Sequence, residues 1–234
     1  MTIRDTRRTV LEIVNEVRKL VGLNTVTRLD ADKHSLVALR LLNIVIADTS
    51  NYGDWQELIA VVSITASASV NTYSFGVTFP VKNIWEIAFA NQRQALYPTD
   101  LADLQRLERG GGVGVPRRFS MRGVDAQGNP KIVVHPQPGS AEAGQEFKIT
   151  YYKKPTLYDV SSADAVVSFP ANVVIQGLYA KVLVEEAGGM MTPESTEAYR
   201  DYQRLMLEEL NRYNADSGAG SGTQIVPTYT GRRS

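Results

Sequence analysis

The chain has no cysteine, which excludes a disulfide framework and thiolate metal sites and is in keeping with a compartment such as the cytosol. Histidine is scarce too. His34 and His135 are the only two, and neither sits in an HxH, HExxH or Cys/His spacing, so both are read as structural and no metal centre is drawn from them. Neither sign of charge dominates: 25 Lys plus Arg stand against 25 Asp plus Glu. That balance argues for no nucleic acid, membrane surface or acidic substrate as a partner. Long apolar runs are missing as well, since the most apolar stretch, Leu36 to Ala47, is broken by Arg40 and Asn43 and is too short to span a bilayer. The opening MTIRDTRRTVLEIVNEV has arginines but no unbroken apolar centre or small-residue cleavage site, which excludes a secretory signal. What is present is core material. With 43% of 234 residues hydrophobic, the chain is expected to be soluble and to fold into one or two domains.

Apolar residues Val10, Ile13, Val14, Val17, Leu20 and Val21 recur at three and four residue spacing, which predicts an amphipathic helix over Thr6 to Val21, closed by Gly22 and Asn24. Ser35 to Ala47 is apolar nearly all round and predicts a second helix, mostly buried, which Asp48 to Asp54 (DTSNYGD) stops. Past Trp55 the character changes. Val61 to Phe79 is rich in Ser, Thr, Val and Tyr and partly alternating, as strands are. Lys82 to Ala90 is expected to be a strand with Trp85, Ile87 and Phe89 on one core face. A short helix follows, with Thr99 or Asp100 capping Leu101, Leu104 and Leu107. Strands over Arg118 to Arg122, Lys131 to His135 and Phe147 to Lys153 are separated by the turn sequences DAQGNP and PQPGSAEAG. Helical pattern returns at Pro170, along Val174, Leu178 and Val182, and ends before Gly188 and Gly189. Thr192 opens a last helix with a stripe of Tyr199, Tyr202, Met206, Leu210 and Tyr213. After it, Asp216 to Gly222 (DSGAGSG) is a flexible break.

No catalytic constellation competes with this layout. The glycines of Gly110 to Gly114 (GGGVG) lack the Gly-Lys-Ser/Thr ending of a phosphate loop and read as a hinge or loop. The serines between Ser63 and Ser74 have no GxSxG elbow or SxxK partner and read as solvent-facing strand residues. Asp159 with Asp164 flanks a loop and Glu185 with Glu186 lies on a helix face, so both pairs read as solvated charge rather than an acid and its base. Arg117, Arg118, Lys153 and Lys154 lie near Phe119, Tyr151 and Tyr152, a mix that nucleic-acid binders use; zero net charge and the fit of those aromatics to strand faces argue for a protein interface instead. Beyond the Gly/Ser break, Ile225, Val226, Pro227, Tyr229, Arg232 and Arg233 offer apolar and cationic anchors. Two readings stand for them: a docking arm that orders on binding, or a tolerated end.

Taken together, the residues resemble the head-to-tail adaptor proteins of tailed phages, in particular the tail tubular protein A type of short-tailed phages. The likeness runs through the N-terminal helix pair, Val115-Pro116, Val134-His135-Pro136-Gln137-Pro138, and Ile149 to Leu157 (ITYYKKPTL). It continues through Phe169-Pro170, Gly177-Leu178-Tyr179-Ala180, Glu185-Glu186-Ala187 and the Tyr199 to Tyr213 helix. The resemblance implies an α+β virion protein in which a helical bundle of N- and C-terminal helices carries a central β-strand domain and an extended C-terminal arm. The expected division is 1–54 with 166–215 for the bundle, 55–165 for the β domain and 216–234 for the tail. It implies no cofactor and no reaction, and a homo-dodecameric ring between the portal protein and the tail nozzle protein, with genomic DNA passing non-specifically through its channel. The arm, with Ile225, Val226, Tyr229, Arg232 and Arg233, would reach the portal; the β domain would meet neighbouring copies and the nozzle. The virion is the implied location, and the host cytoplasm before assembly. Another head-tail connector, such as a stopper or tail-completion protein, is the first alternative and would lack the long terminal helices. A carbohydrate-binding or hydrolytic virion module is the second and would need a carboxylate pair in a cleft beside exposed Trp or Tyr.

Overall fold

The computed structural model describes residues 7–76, 81–89 and 95–216. It is an α+β protein of five helices and seven strands among those residues. Helix α1 (Val10–Leu20) starts at a capping box: the Thr9 hydroxyl accepts from the Glu12 amide at 3.2 Å while the Glu12 carboxylate accepts from the Thr9 amide at 2.8 Å. This Thr-x-x-Glu signature satisfies two otherwise unpaired donors and sets the start at Val10, four residues later than the periodicity alone gave. Helix α2 (Lys33–Tyr52) is capped by Asp32, whose carboxylate accepts from the Ser35 amide at 2.7 Å.

The expected stop at Asp48 to Asp54 is a correction, because α2 runs on through Asp48-Thr49-Ser50-Asn51-Tyr52 to Gly53. Tertiary packing overrides the weak helix propensity of that stretch. Thr49 and Ser50 are buried, the Ser50 hydroxyl donates to the Ala47 carbonyl at 2.8 Å, and Thr49 meets the Tyr202 hydroxyl at 2.7 Å.

Helices α4 (Ala171–Glu186) and α5 (Pro193–Asp216) complete the bundle. Gly177 is the point of closest approach within it: a Cβ there would lie 2.7 Å from both Tyr202 Cε2 of α5 and Val45 Cγ1 of α2. Only a residue without a side chain lets three helices meet so closely.

Between α2 and α4 the chain builds two facing sheets. Strands β1 (Ile59–Thr65), β7 (Glu146–Lys153) and β3 (Val81–Phe89) form one antiparallel sheet in the order β1-β7-β3. The second has the order β2-β6-β5-β4, with β2 (Thr72–Ser74), β4 (Tyr97–Pro98), β5 (Arg118–Val124) and β6 (Pro130–His135). Helix α3 (Leu101–Arg109), capped by Asp100, lies between β4 and β5. Phe75, Ile87, Phe89, Phe119, Ile132, Val134, Phe147 and Ile149 fill the space between the sheets.

The expectation that Trp85, Ile87 and Phe89 share one core face is corrected. Ile87 and Phe89 are fully buried, but Trp85 is 60% exposed. Ile84 pairs with Tyr151 and Glu86 with Thr150, so Trp85 is the extra residue of a β-bulge. A bulge inverts the in–out alternation at that point. Trp85 instead stacks on Tyr152, ring centroids 5.6 Å apart.

A second apolar core lies among the helices and reaches into the sheet: Trp55, Leu58, Tyr152 and Tyr158 sit in it with Ile13, Leu42, Val174 and Tyr202. An ion pair with a buried arginine closes one edge of it. Arg18, 6% exposed, grips Asp32 with both guanidinium nitrogens at 2.9 and 2.8 Å, donates to Ser35 at 2.9 Å and to the Asn24 carbonyl at 2.7 Å. The Arg18 bonds, and then the Ser35 amide, hold the Asp32 carboxyl well below the usual carboxylate range.

At the β5–β6 turn, the Ser74 hydroxyl and the Asn129 side chain and amide hold Asp125 down to about 2. A carboxyl whose folded pKa is depressed contributes stability that is complete above its unfolded value of about 4 and is withdrawn as pH falls below it. The expected result is a falling midpoint of thermal unfolding from pH 5 toward about pH 2, followed by circular dichroism. The Asp32→Asn variant should show a lower midpoint at pH 7 and a flatter acid limb; a limb as steep as that of the parent would refute the assignment.

Candidate interaction surfaces

The basic residues picked from the sequence occupy two places, not one. Arg117 is exposed just before β5, its amide donating to the His135 carbonyl at 3.0 Å, and Arg118 is the first residue of β5, paired with His135. Lys153 closes β7 and Lys154 follows it, exposed. Tyr73 packs on Phe147 and Phe75 on Tyr151, so β2 runs the same way as β7 across the sandwich. Strand β6 runs antiparallel to β2, which sets His135, and Arg118 with it, at the Glu146 end of β7. Lys153 lies at the other end, next to the helices. The four cations therefore form two pairs at opposite ends of the sandwich. Ile225, Val226, Tyr229, Arg232 and Arg233 lie outside the described residues, beyond the end of α5 at Asp216.

The other sequence candidates have local structural work. Asp159 accepts from the Ser161 amide at 2.9 Å and from the hydroxyls of Ser161 and Ser162 at 2.6 and 3.0 Å, an arrangement that caps a turn and depresses its pKa. Glu185 is ion-paired to Arg40 at 2.8 Å. The glycine stretch lies against the chain after β6: the Gly114 amide donates to Gln137 at 2.9 Å and the Gln137 amide to Gly112 at 3.1 Å. Gly112, with φ of 146°, leaves only 3.3 Å between a would-be Cβ and the His135 ring. Its backbone amides thus serve the sheet end rather than a ligand. Among the described residues, no group of three or more His, Cys, Asp or Glu is placed to hold a metal ion, and no helix is long and apolar enough to cross a membrane.

Apolar side chains left in water mark surfaces of a different kind. Val61 on β1 and Tyr97 on β4 stand out at 63% and 64% exposure. Among the described residues, strand β1 pairs with β7 on one side only, which leaves its other edge as a sheet edge. On the helical side, the turn between α4 and α5 carries Met190 and Met191, 70% and 59% exposed. A cleft of about 340 Å³ opens nearby between the C-terminal end of α1, the N-terminal end of α2 and the C-terminal end of α4. The sequence signal for the turn was a Met-Met pair directly after Gly188-Gly189, where polar residues are the usual choice. The cleft left no signal, since its lining comes from three separate segments.

Such surfaces are suited to binding other proteins. Among curated proteins, none matches the chain significantly. Two long terminal helical segments, a β sandwich inserted between them and apolar patches on both parts agree with the likeness to phage head-to-tail adaptors. The family model described as SU10 adaptor protein matches residues 8–227, nearly the whole chain, and the protein belongs to the SU10 adaptor protein family.

Proposed function

We propose that this adaptor forms a homo-dodecameric ring joining the portal protein to the tail nozzle protein of a virion, with genomic DNA passing through its channel. The observation that carries the reading is the family match together with the pairing of unlike surfaces on one subunit. A ring grows from heterologous contacts, in which one face fits a different face of the next copy, and the helices and the sandwich offer such faces. The long terminal helices favour an adaptor over a stopper or tail-completion protein. Zero net charge suits a channel along which DNA must slide, because a strongly basic lining would hold the phosphates.

In this reading 1–54 and 166–215 build the ring, 55–165 meets neighbours and the nozzle, and 216–234 is the arm. Ile225, Val226, Tyr229, Arg232 and Arg233 dock on the portal, while Arg117, Arg118, Lys153 and Lys154 lie at contacts with the next copy or the tail. No reaction or cofactor enters. The protein works in the virion, at the head-tail junction, after waiting in the host cytoplasm.

Electron-microscopy class averages of the protein mixed with its portal test the ring directly; a monomer by mass measurement in that mixture would sink it. Deleting Gly218 to Ser234 should leave the circular dichroism spectrum unchanged and weaken attachment to purified portal at least tenfold, or about 1.4 kcal/mol. Unchanged binding would remove the arm from the reading and leave the ring standing.

A further inference from the structure

The cleft and the methionine turn described above are complementary, and in one subunit they do not meet. Val17, Val21, Val37 and Val182 give the cleft an apolar floor, with Lys33 and His34 on the lip formed by α2. The turn projects from the same end of the bundle, because it begins just after Glu185 and Glu186 of the cleft wall. Gly188 and Gly189, at φ of 67° and 87°, bend the chain so that Met190 and Met191 point into solvent instead of the cleft beside them. Methionine is flexible and polarisable, and it fills irregular apolar hollows well.

Charge separates the two surfaces as well. Beyond Glu185 and Glu186, which belong to the cleft wall and of which Glu185 is paired to Arg40 at 2.8 Å, the stretch from Ala187 to Tyr199 carries two glutamates, Glu194 and Glu197, and no lysine or arginine. On the α2 side of the cleft, Asp30 and Asp32 are both tied to arginines, at 2.7 and 2.8 Å, while Lys33 and His34 are exposed; Lys19, exposed at the end of α1, lies 3.6 Å from Glu16. An acidic, methionine-tipped turn thus has a basic-lipped apolar cleft as its counterpart.

We propose that Met190 and Met191 of each copy insert into the cleft of the next copy, with Glu194 and Glu197 facing Lys33 and Lys19. The inference deepens the ring reading and rests on it. Knob and cleft are different patches, so the contact propagates from copy to copy instead of closing as a two-fold pair. They lie at one end of the bundle. Copies related by rotation about an axis along the bundle therefore meet at the same height, which closes a ring where an axial offset would wind a filament.

The natural absence of cysteine makes a clean test. A double variant, Lys33→Cys with Met190→Cys, is assembled with purified portal and treated with a short bis-maleimide. The expected result is a ladder of covalent multimers above the dimer on a denaturing gel, absent from each single variant. Assembled particles, seen by mass measurement, that give no ladder would overturn this contact and leave the ring standing. A ladder that stops at two copies marks mutual exchange and also overturns it, and failure of the parent protein to assemble at all overturns the ring itself. Met190→Asp with Met191→Asp provides a second measure on an exposed turn: unchanged circular dichroism with at least a tenfold loss of assembly is expected, and full assembly by this variant refutes the proposal.

Discussion

Replacing Tyr202 by alanine is expected to destabilise the fold by about 4 kcal/mol, the scale of removing a large aromatic from a packed core. The side chain is 1% exposed, and its ring lies against Gly177 of α4, where Val45 of α2 also closes in. Truncation leaves a hole among three helices that already touch backbone to side chain, so little collapse is available to refill it. The hydroxyl adds a separate part, meeting Thr49 at 2.7 Å and the Val45 carbonyl at 3.4 Å. Burial pushes it far above an ordinary phenol, which keeps it protonated and able to donate. Tyr202→Phe removes only that part and should cost about 1 kcal/mol. Denaturant unfolding of both variants checks the split; an alanine variant no weaker than the phenylalanine one would show that the ring is not what holds α2, α4 and α5 together.

A loss of about 3–5 kcal/mol is likewise expected for Trp55→Ala. Trp55 is fully buried where the helices meet the sheet, edge-on to Phe169 with centroids 5.4 Å apart, and its indole N–H donates to the Thr49 carbonyl at 2.7 Å. That carbonyl lies in the stretch of α2 whose sequence favours a turn, so the indole also pins the last helical residues. Trp55→Phe should keep most of the apolar contact and lose about 1–2 kcal/mol through the unpaired carbonyl. Fluorescence distinguishes the sites, since Trp85 is exposed and Trp55 is not: Trp55→Ala should remove the blue-shifted part of the native emission. Retention of that part would place the buried fluorophore elsewhere.

The same residues show what a sequence discloses. Periodicity located α1, α4 and α5, because their apolar stripes face one core and local pattern agrees with tertiary demand. The turn Asp125 to Asn129 was legible for the same reason, as Asp125 accepts from the Gln127 and Asn129 amides at 2.9 and 2.7 Å and Gly128 takes a φ of 84°. The end of α2 was not. Its Thr49 is bonded to a partner more than a hundred residues away in the chain, and no local window contains Tyr202. Trp85 failed by parity, since one inserted residue at the bulge breaks the alternation that sets Ile87 and Phe89 inward. The two pairs of cations look like neighbours in composition, yet strand direction separates them. The interaction surfaces depend most on assembly in space, and the cleft, drawn from α1, α2 and α4, lies furthest from any motif.

Strand β7 belongs to both cores: Phe147 and Ile149 lie between the sheets, whereas Tyr152, three residues beyond Ile149, lies among the helices under the stacked Trp85. Eight residues of extended backbone cover about 25 Å, so one strut, braced on either side by β1 and β3, joins the helical bundle to the sandwich. A torque applied to the sandwich is carried into the helices along a continuous strand that is packed in both cores. Such a shared strand suits an adaptor that must carry a mechanical signal from one of its parts to the other.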